Sequence, residues 1–331
     1  MADTVTLPKS QACRIRVYRA GGEVVTFGEL EQLADDVSRE DFVWLNLIAP
    51  SAADLAVVQA RFGLHPLAVE DAALKHERPK VDHFEGYRLV IAHAVRLTIE
   101  HTLVVEEIAI FCGARFAVTI RTSSLLNLDD VERRFDATSG RDGDTFLYIA
   151  LDTLVDAFAP IAQRYESQIG QLESRLFEFD ARERTEHDIF RLKREMTLFR
   201  SSVSPMREML AALLHGDRLL PPVLATYYRD VQDHAVYTIE RIDVMRDLLN
   251  SSLDVHFSSL AHRQAAISNQ LTMIATIFLP LTYLTGFFGQ NFGWMVDHVK
   301  GAADFWWWSV GLQAATAVGF MWYFTVKRWT S

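Results

Sequence analysis

Residues 271–294 read LTMIATIFLPLTYLTGFFGQNFGW, and no charge occurs from Leu271 to Phe288. A second charge-free run extends from Phe305 to Val326. A bilayer core about 30 Å thick needs roughly 20 helical residues, so each run is long enough to span one. Asp297, His298, Lys300 and Asp304 lie between the runs, predicting a short outer loop between antiparallel membrane helices at about 271–289 and 305–326. The second run opens on Phe305, Trp306, Trp307 and Trp308 and closes on Trp322, Tyr323, Phe324 and Trp329. Aromatic rings favour the two membrane interfaces, so these residues read as two belts. Lys327 and Arg328 after the second run, and Arg263 before the first, put both termini in the cytoplasm by the positive-inside rule. Met1–Lys9 lacks the charged-then-apolar pattern of a signal peptide, which agrees.

Working outward, the 331 residues are 50% hydrophobic, with only 16 glycines and 9 prolines. That composition excludes disorder and collagen. Two cysteines, Cys13 and Cys112, cannot build a disulfide scaffold or a cysteine-only zinc site. A net charge of -10 argues against nucleic-acid binding, which needs a basic face.

The N-terminal third alternates strand-like and helical pieces. Cys13–Arg19, Phe42–Ile48, Tyr87–Leu97, Leu103–Phe111 and Arg115–Arg121 are rich in β-branched and aromatic residues and read as strands. Ser51 with Asp54 three residues on predicts a capped helix ending near Gly63. Helical spacing then dominates over Phe146–Phe179 and Ile189–Leu214, with a loop at His215–Leu220. Pro221 and Pro222 suit a helix start, and no breaker follows from Val223 until Pro280. One helix therefore runs from Val223 to Phe288, about 100 Å at 1.5 Å per residue. The expected architecture is an α/β cytoplasmic domain (1–143), a long-helix stalk region (144–270) and a transmembrane domain (271–331).

No H-E-x-x-H, phosphate-binding glycine loop, dinucleotide fingerprint or G-x-S-x-G occurs, so no catalytic residue is assigned. In the segment from His76 to His83, potential ligands alternate with Pro79 and basic residues, and a solvated loop is expected. Ser268, Leu271, Ala275, Leu279, Thr282 and Gly286 share one helix face of small or weakly polar residues. Such a face suits close helix packing or, in a symmetric ring of subunits, a narrow pore. Gly289-Gln290-Asn291 follows. It reads either as a helix C-cap or as an uncharged ring of amide acceptors for the waters of a hydrated cation. Asp233, Glu240, Asp247 and Asp254 recur at seven-residue steps. They form either a solvated face balanced by Arg229, Arg241 and Arg246 or a cation-concentrating surface.

Several of these stretches together resemble one family. The 271–294 segment with its two spans looks like the CorA-type divalent-cation channels and their ZntB relatives. His65-Pro66-Leu67-Ala68-Val69-Glu70-Asp71, then Arg78-Pro79-Lys80-Val81, is similar to the family's N-terminal signature. The stretch from Tyr227 to His234, YYRDVQDH, is similar to its stalk signature. The resemblance implies a funnel-shaped homopentamer in the inner (plasma) membrane, with the 268–286 face lining the pore and Gly289, Gln290 and Asn291 forming the outer selectivity filter. It implies regulatory divalent ions between subunits, with Glu70, Asp71, Asp230, Asp233 and His234 as the metal set. Gln290 stands where the family usually has Met. The expected function is influx of Mg²⁺, with Co²⁺ or Ni²⁺ as further cargo, and no organic cofactor. A ZntB-like zinc transporter is the alternative, and a membrane metal sensor without transport is a third reading.

Overall fold

The computed structural model describes residues 13–30, 37–74, 78–98, 102–123, 128–176, 182–216, 221–290, 292–298 and 301–326. Asn291, His76, Glu77, Lys327, Arg328 and Trp329 lie outside the described residues. The fold divides into two compact units, Met1–Ser252 and Leu253–Ser331.

The first unit is built on a seven-stranded sheet ordered β2-β1-β3-β7-β6-β5-β4. Its strands are β1 (Cys13–Tyr18), β2 (Val24–Phe27), β3 (Phe42–Ile48), β4 (Lys80–Phe84), β5 (Tyr87–Leu97), β6 (Leu103–Gly113) and β7 (Phe116–Arg121). Only the β3–β7 pair is parallel; the others are antiparallel. Successive strand side chains point to opposite faces, and both faces are covered. On one face Val17, Leu45, Leu89, Phe111 and Val118 pack with Val58 and Ala68 of two helices, α1 (Ala52–Phe62) and α2 (Pro66–Ala73), and with Leu64 of the link between them. The expected capping box closes α1: the Ser51 side chain accepts from Asp54 N–H at 3.2 Å, and Asp54 accepts from Ser51 N–H at 2.8 Å. Gly63, at φ 64°, ends that helix in the left-handed region open to glycine.

On the opposite face Tyr18, Phe42 and Trp44 meet Phe135 of α3 (Asp129–Asp136) and Phe146 of α4 (Gly143–Asp156). The start of α4 docks so closely that a methyl on Gly143 would overlap the Gly113 carbonyl and the Cys112 sulfur. This contact, with the buried Phe146, Leu147 and Ala150, fixes α4 on the sheet.

Two expectations need correction. The single helix expected over Phe146–Phe179 is two, α4 and α5 (Phe158–Leu176), separated at Ala157. Pro160 is the cause: it has no N–H to offer the Asp156 carbonyl four residues back, and its ring would clash there, whereas it is tolerated in a first helical turn. The loop expected at His76–His83 is, from Lys80 onward, the edge strand β4. It pairs with β5 from Lys80↔Ile91 to Phe84↔Tyr87. Pro79 sits just before it, where a missing donor costs nothing.

Two long helices follow, α6 (Arg182–Gly216) and α7 (Pro222–Phe288, 67 residues). As expected, a proline opens α7 and no break precedes the apolar run. Beyond it lie α8 (Gly293–His298), the short α9 (Ala302–Asp304), a π-helical turn (Phe305–Gly311) and α10 (Leu312–Val326).

Candidate metal centre and transport helix

Asp152 and Asp156 are four residues apart on α4, so they share one face. Asp230 and His234 have the same spacing on α7. The structure brings these faces together: His234 Nδ1 lies 3.3 Å from Asp156 Oδ1, and its Nε2 lies 4.0 Å from Asp230 Oδ2. One ligand atom from each of Asp152, Asp156 and His234 falls within 4.8 Å of the others. Asp152 is buried, while Asp156 and His234 are exposed. Arg134 of α3 bonds Asp152, donates to Thr153 Oγ1 at 3.2 Å and reaches Asp156 at 4.0 Å. Partial burial, then the neighbouring Asp152 charge, raises the Asp156 carboxyl above its ordinary range; His234 works in the opposite direction. Carboxylates so placed repel each other unless a proton or cation comes between them. Two carboxylates and an imidazole suit a divalent ion, with oxygen favouring Mg²⁺ and the ring nitrogen Zn²⁺, Co²⁺ or Ni²⁺.

Tyrosine packing sets the spacing between the two helices. Tyr228 is fully buried, and its hydroxyl donates to the Asp144 carbonyl at 3.2 Å. Its ring and that of Tyr227 pack on Tyr148 at 5.9 and 5.3 Å. The stalk helix is also clipped at two further points. Arg200 of α6 forks onto Asp243 at 2.7 and 3.3 Å. Arg241 forks onto Glu166 of α5 at 2.7 and 2.6 Å. The paired guanidinium holds each carboxyl below its ordinary range.

Sequence reading missed Asp152 and Asp156, although their i, i+4 repeat matches that of Asp230 and His234. Of the residues it named, Asp230 and His234 come together. Asp233 is exposed and outside the cluster. Glu70 and Asp71 lie on α2 and do not join it; Asp71 accepts from Lys80 Nζ at 2.8 Å. The expected charge balance of the acidic stripe is different in the fold. Arg241 and Arg246 pair with Glu166 and Asp243. Among the described residues no ion pair engages Asp233, Glu240, Asp247 or Asp254, and all four are exposed.

In the second unit, Ser268, Leu271, Ala275, Leu279, Thr282 and Gly286 are all exposed, Leu271 and Leu279 at 67% and 72%. Met273, Ile277, Pro280, Leu284 and Phe288 are half-buried. At about 100° per residue, this shielded stripe lies roughly 180° around the helix from the first set. On α10, Gln313, Thr316, Ala317 and Phe320 are half-buried and Phe324 is buried, again at helical spacing. On each helix the shielded positions thus fall on one stripe, and on α7 the small-residue face is turned away from it. The Thr282 hydroxyl donates to the Phe278 carbonyl at 2.8 Å, which leaves its oxygen lone pairs as acceptors. Gly289 N–H closes the helix onto the Thr285 carbonyl at 3.0 Å, and Gln290 N–H bonds the Phe287 carbonyl at 3.3 Å.

An α/β unit, a long helix running into a charge-free apolar segment, and a carboxylate–imidazole cluster beside that helix thus occur together in one chain. Residues 39–328 match the family described as CorA-like Mg²⁺ transporter protein. The chain is 29% identical over 300 residues to the cobalt/magnesium transport protein CorA of Thermotoga maritima, covering 86% of this chain and 83% of that one. It is 27% identical over 281 residues to the zinc transport protein ZntB of Klebsiella pneumoniae, covering 80% and 82%. Its fold matches the complete structure of the CorA magnesium transporter from Methanocaldococcus jannaschii with a TM-score of 0.81 at 19% identity, covering 95% and 97%. The chain belongs to the CorA-like Mg²⁺ transporter protein family. It is a divalent metal-ion transporter of the CorA/ZntB type and not an enzyme.

Proposed function

We propose that the chain is one subunit of a funnel-shaped homopentameric channel that admits Mg²⁺, with Co²⁺ or Ni²⁺ as further cargo, across the inner (plasma) membrane. Both termini are cytoplasmic, residues 144–270 supply the stalk, and the apolar helices of 271–331 supply two spans. The observation that carries this reading is the exposed face from Ser268 to Gly286, opposite the shielded stripe of the same helix. One helix cannot enclose a pore, so several such faces converge on an axis, and the likeness to the CorA-type channels makes their number five. Tyr237, Val244, Leu248 and Val255 form an exposed apolar stripe on the stalk helix that suits contact with a neighbouring subunit. The face holds hydroxyl oxygen and apolar groups without charge, which suits an ion that keeps its water shell. Gly289, Gln290 and Asn291 form the outer filter.

Gating follows from the acidic residues. Glu70 and Asp71 of one subunit face Asp230 of the next across a bound divalent ion, beside the Asp152–Asp156–His234 cluster. Occupied sites neutralise the carboxylates and hold the ring closed. When cytoplasmic Mg²⁺ falls, the sites empty, carboxylate repulsion returns and the ring loosens. The unpaired stripe from Asp233 to Asp254 adds to that repulsion.

The test is ion flux into liposomes holding the purified protein, read with Mg²⁺- and Zn²⁺-sensitive dyes. Mg²⁺ entry driven by an inside-negative potential and lost in Asn291→Ala is the expected result. The relatedness to a zinc transporter supports a second reading, Zn²⁺ transport. Zn²⁺ entry that follows a proton gradient, with little Mg²⁺ flux, would select it. No flux of either ion through an intact oligomer at low internal divalent concentration would leave a metal sensor.

The cluster itself makes a separate prediction. His234→Ala and Asp156→Asn should each raise the Mg²⁺ concentration for half-closure about threefold to tenfold, measured as flux against internal Mg²⁺. Metal and a proton compete for the Asp156 carboxylate, whose burial and Asp152 neighbour raise its pKa above the ordinary range. Affinity in the parent protein should therefore fall with decreasing pH at a higher pH than an ordinary carboxylate would give, and Asp156→Asn should flatten that slope.

A further inference from the structure

Lys80 is the first residue of β4, and its side chain sits between two carboxylates. Its Nζ donates to Asp71 Oδ2 at 2.8 Å and lies 3.3 Å from Asp82 Oδ2. Asp82 is two residues along the same strand, hence on the same face. All three side chains are about one-third exposed, at 32%, 31% and 41%. The Asp71 hydrogen bond holds the ammonium protonated beyond its ordinary range.

We propose that Lys80 is a built-in competitor for the regulatory divalent ion, an inference that rests on the proposed role of Asp71 as a ligand. Asp71 accepts only from cationic or polar donors, and the ammonium already takes one of its oxygens. A divalent ion arriving there meets a positive charge within contact distance of the ligand, so it binds only if the ammonium moves away. Asp82 is already close enough to receive it. The exchange swaps one ion pair for another inside the protein and leaves no charge without a partner. In the metal-free state, the same ammonium neutralises Asp71 beside Glu70. Lys80 thus weakens the site and makes its occupancy reversible, and the Asp71–Lys80–Asp82 arrangement sets the ion concentration at which it fills.

The experiment is calorimetric titration of Mg²⁺ alone into the full-length protein in lipid nanodiscs. Lys80→Met should lower the midpoint roughly twofold to tenfold, the range spanned by losing one exposed ion pair and its repulsion of the metal. Lys80→Arg keeps the charge and should stay within about twofold of the parent. Lys80→Gln carries the same expectation as the methionine variant should that variant fail to form the oligomer. An unchanged or raised midpoint in Lys80→Met and Lys80→Gln overturns the proposal. Asp71→Asn separates the two levels of the argument. If it raises the midpoint while the lysine variants do not lower it, only the competitor role fails. If it leaves the midpoint unchanged, Asp71 is not a ligand and both readings fall.

Discussion

Ala275→Leu is expected to cut Mg²⁺ flux into liposomes by roughly a hundredfold or more, because in the proposed homopentamer five isobutyl groups in place of methyls would close a narrow apolar constriction. Ala275 lies at the middle of the exposed 268–286 face, between Leu271 and Leu279. Among the described residues nothing covers it, so the larger side chain has no steric cost against them. Met273→Leu is the paired control. Met273 lies on the half-buried stripe roughly opposite, where a volume-conserving swap costs little. That variant should conduct within about twofold of the parent. An Ala275→Leu oligomer that assembles and conducts like the parent would mean that the face packs against protein and does not line the ion path.

The second large effect is on stability. Phe146→Ala should destabilise the α/β unit by about 3–5 kcal/mol, the range for deleting a fully buried aromatic side chain. Phe146 is 0% exposed, with ring centroids 5.0 Å from Trp44, 5.3 Å from Phe135 and 6.1 Å from Phe42. It also seats α4, which carries Asp152 and Asp156. Pulse proteolysis of the full-length protein across a urea series would read the loss. Divalent protection should fall in parallel, because metal ligands held on a loosened helix bind less well. A midpoint shift smaller than that of a surface control such as Asp129→Ala would show that the aromatic cluster does not hold this helix.

Much of this fold is written locally. The Ser51–Asp54 box and Gly63 mark both ends of a helix through short-range chemistry, and β3 and β5 carry their β-branched and aromatic runs openly. The 67-residue helix follows from an absence of breakers between Pro222 and the membrane run. Elements that depend on a neighbour were harder to read. The Lys80–Phe84 segment has the polarity of a loop and becomes a strand because β5 supplies its ladder. The break at Ala157 was in reach through Pro160, whose conflict with the Asp156 carbonyl is local. The candidate metal cluster was half legible. Asp230 and His234 sit in a recognisable stretch, whereas Asp152 and Asp156 acquire their role only when the Tyr228–Asp144 contact brings α4 against α7. The acidic stripe was legible as a pattern, but the destinations of Arg241 and Arg246 were not, because Glu166 is remote in sequence from the first and Asp243 competes locally for the second.

The π-helical turn at Phe305–Gly311 has a consequence for how the chain could change in length. A widened turn stores an additional residue while the backbone stays hydrogen-bonded. The tryptophans Trp306, Trp307 and Trp308 lie inside it, and the face of α10 from Gln313 to Phe324 begins just after it. Removing one of those tryptophans would let the segment relax to an ordinary α-helix and take up the deletion there, whereas the same deletion within α10 would rotate every following residue by about 100°. The turn at Phe305–Gly311 is thus the place where an insertion or deletion of one residue can be absorbed without rotating the faces of the helix that follows.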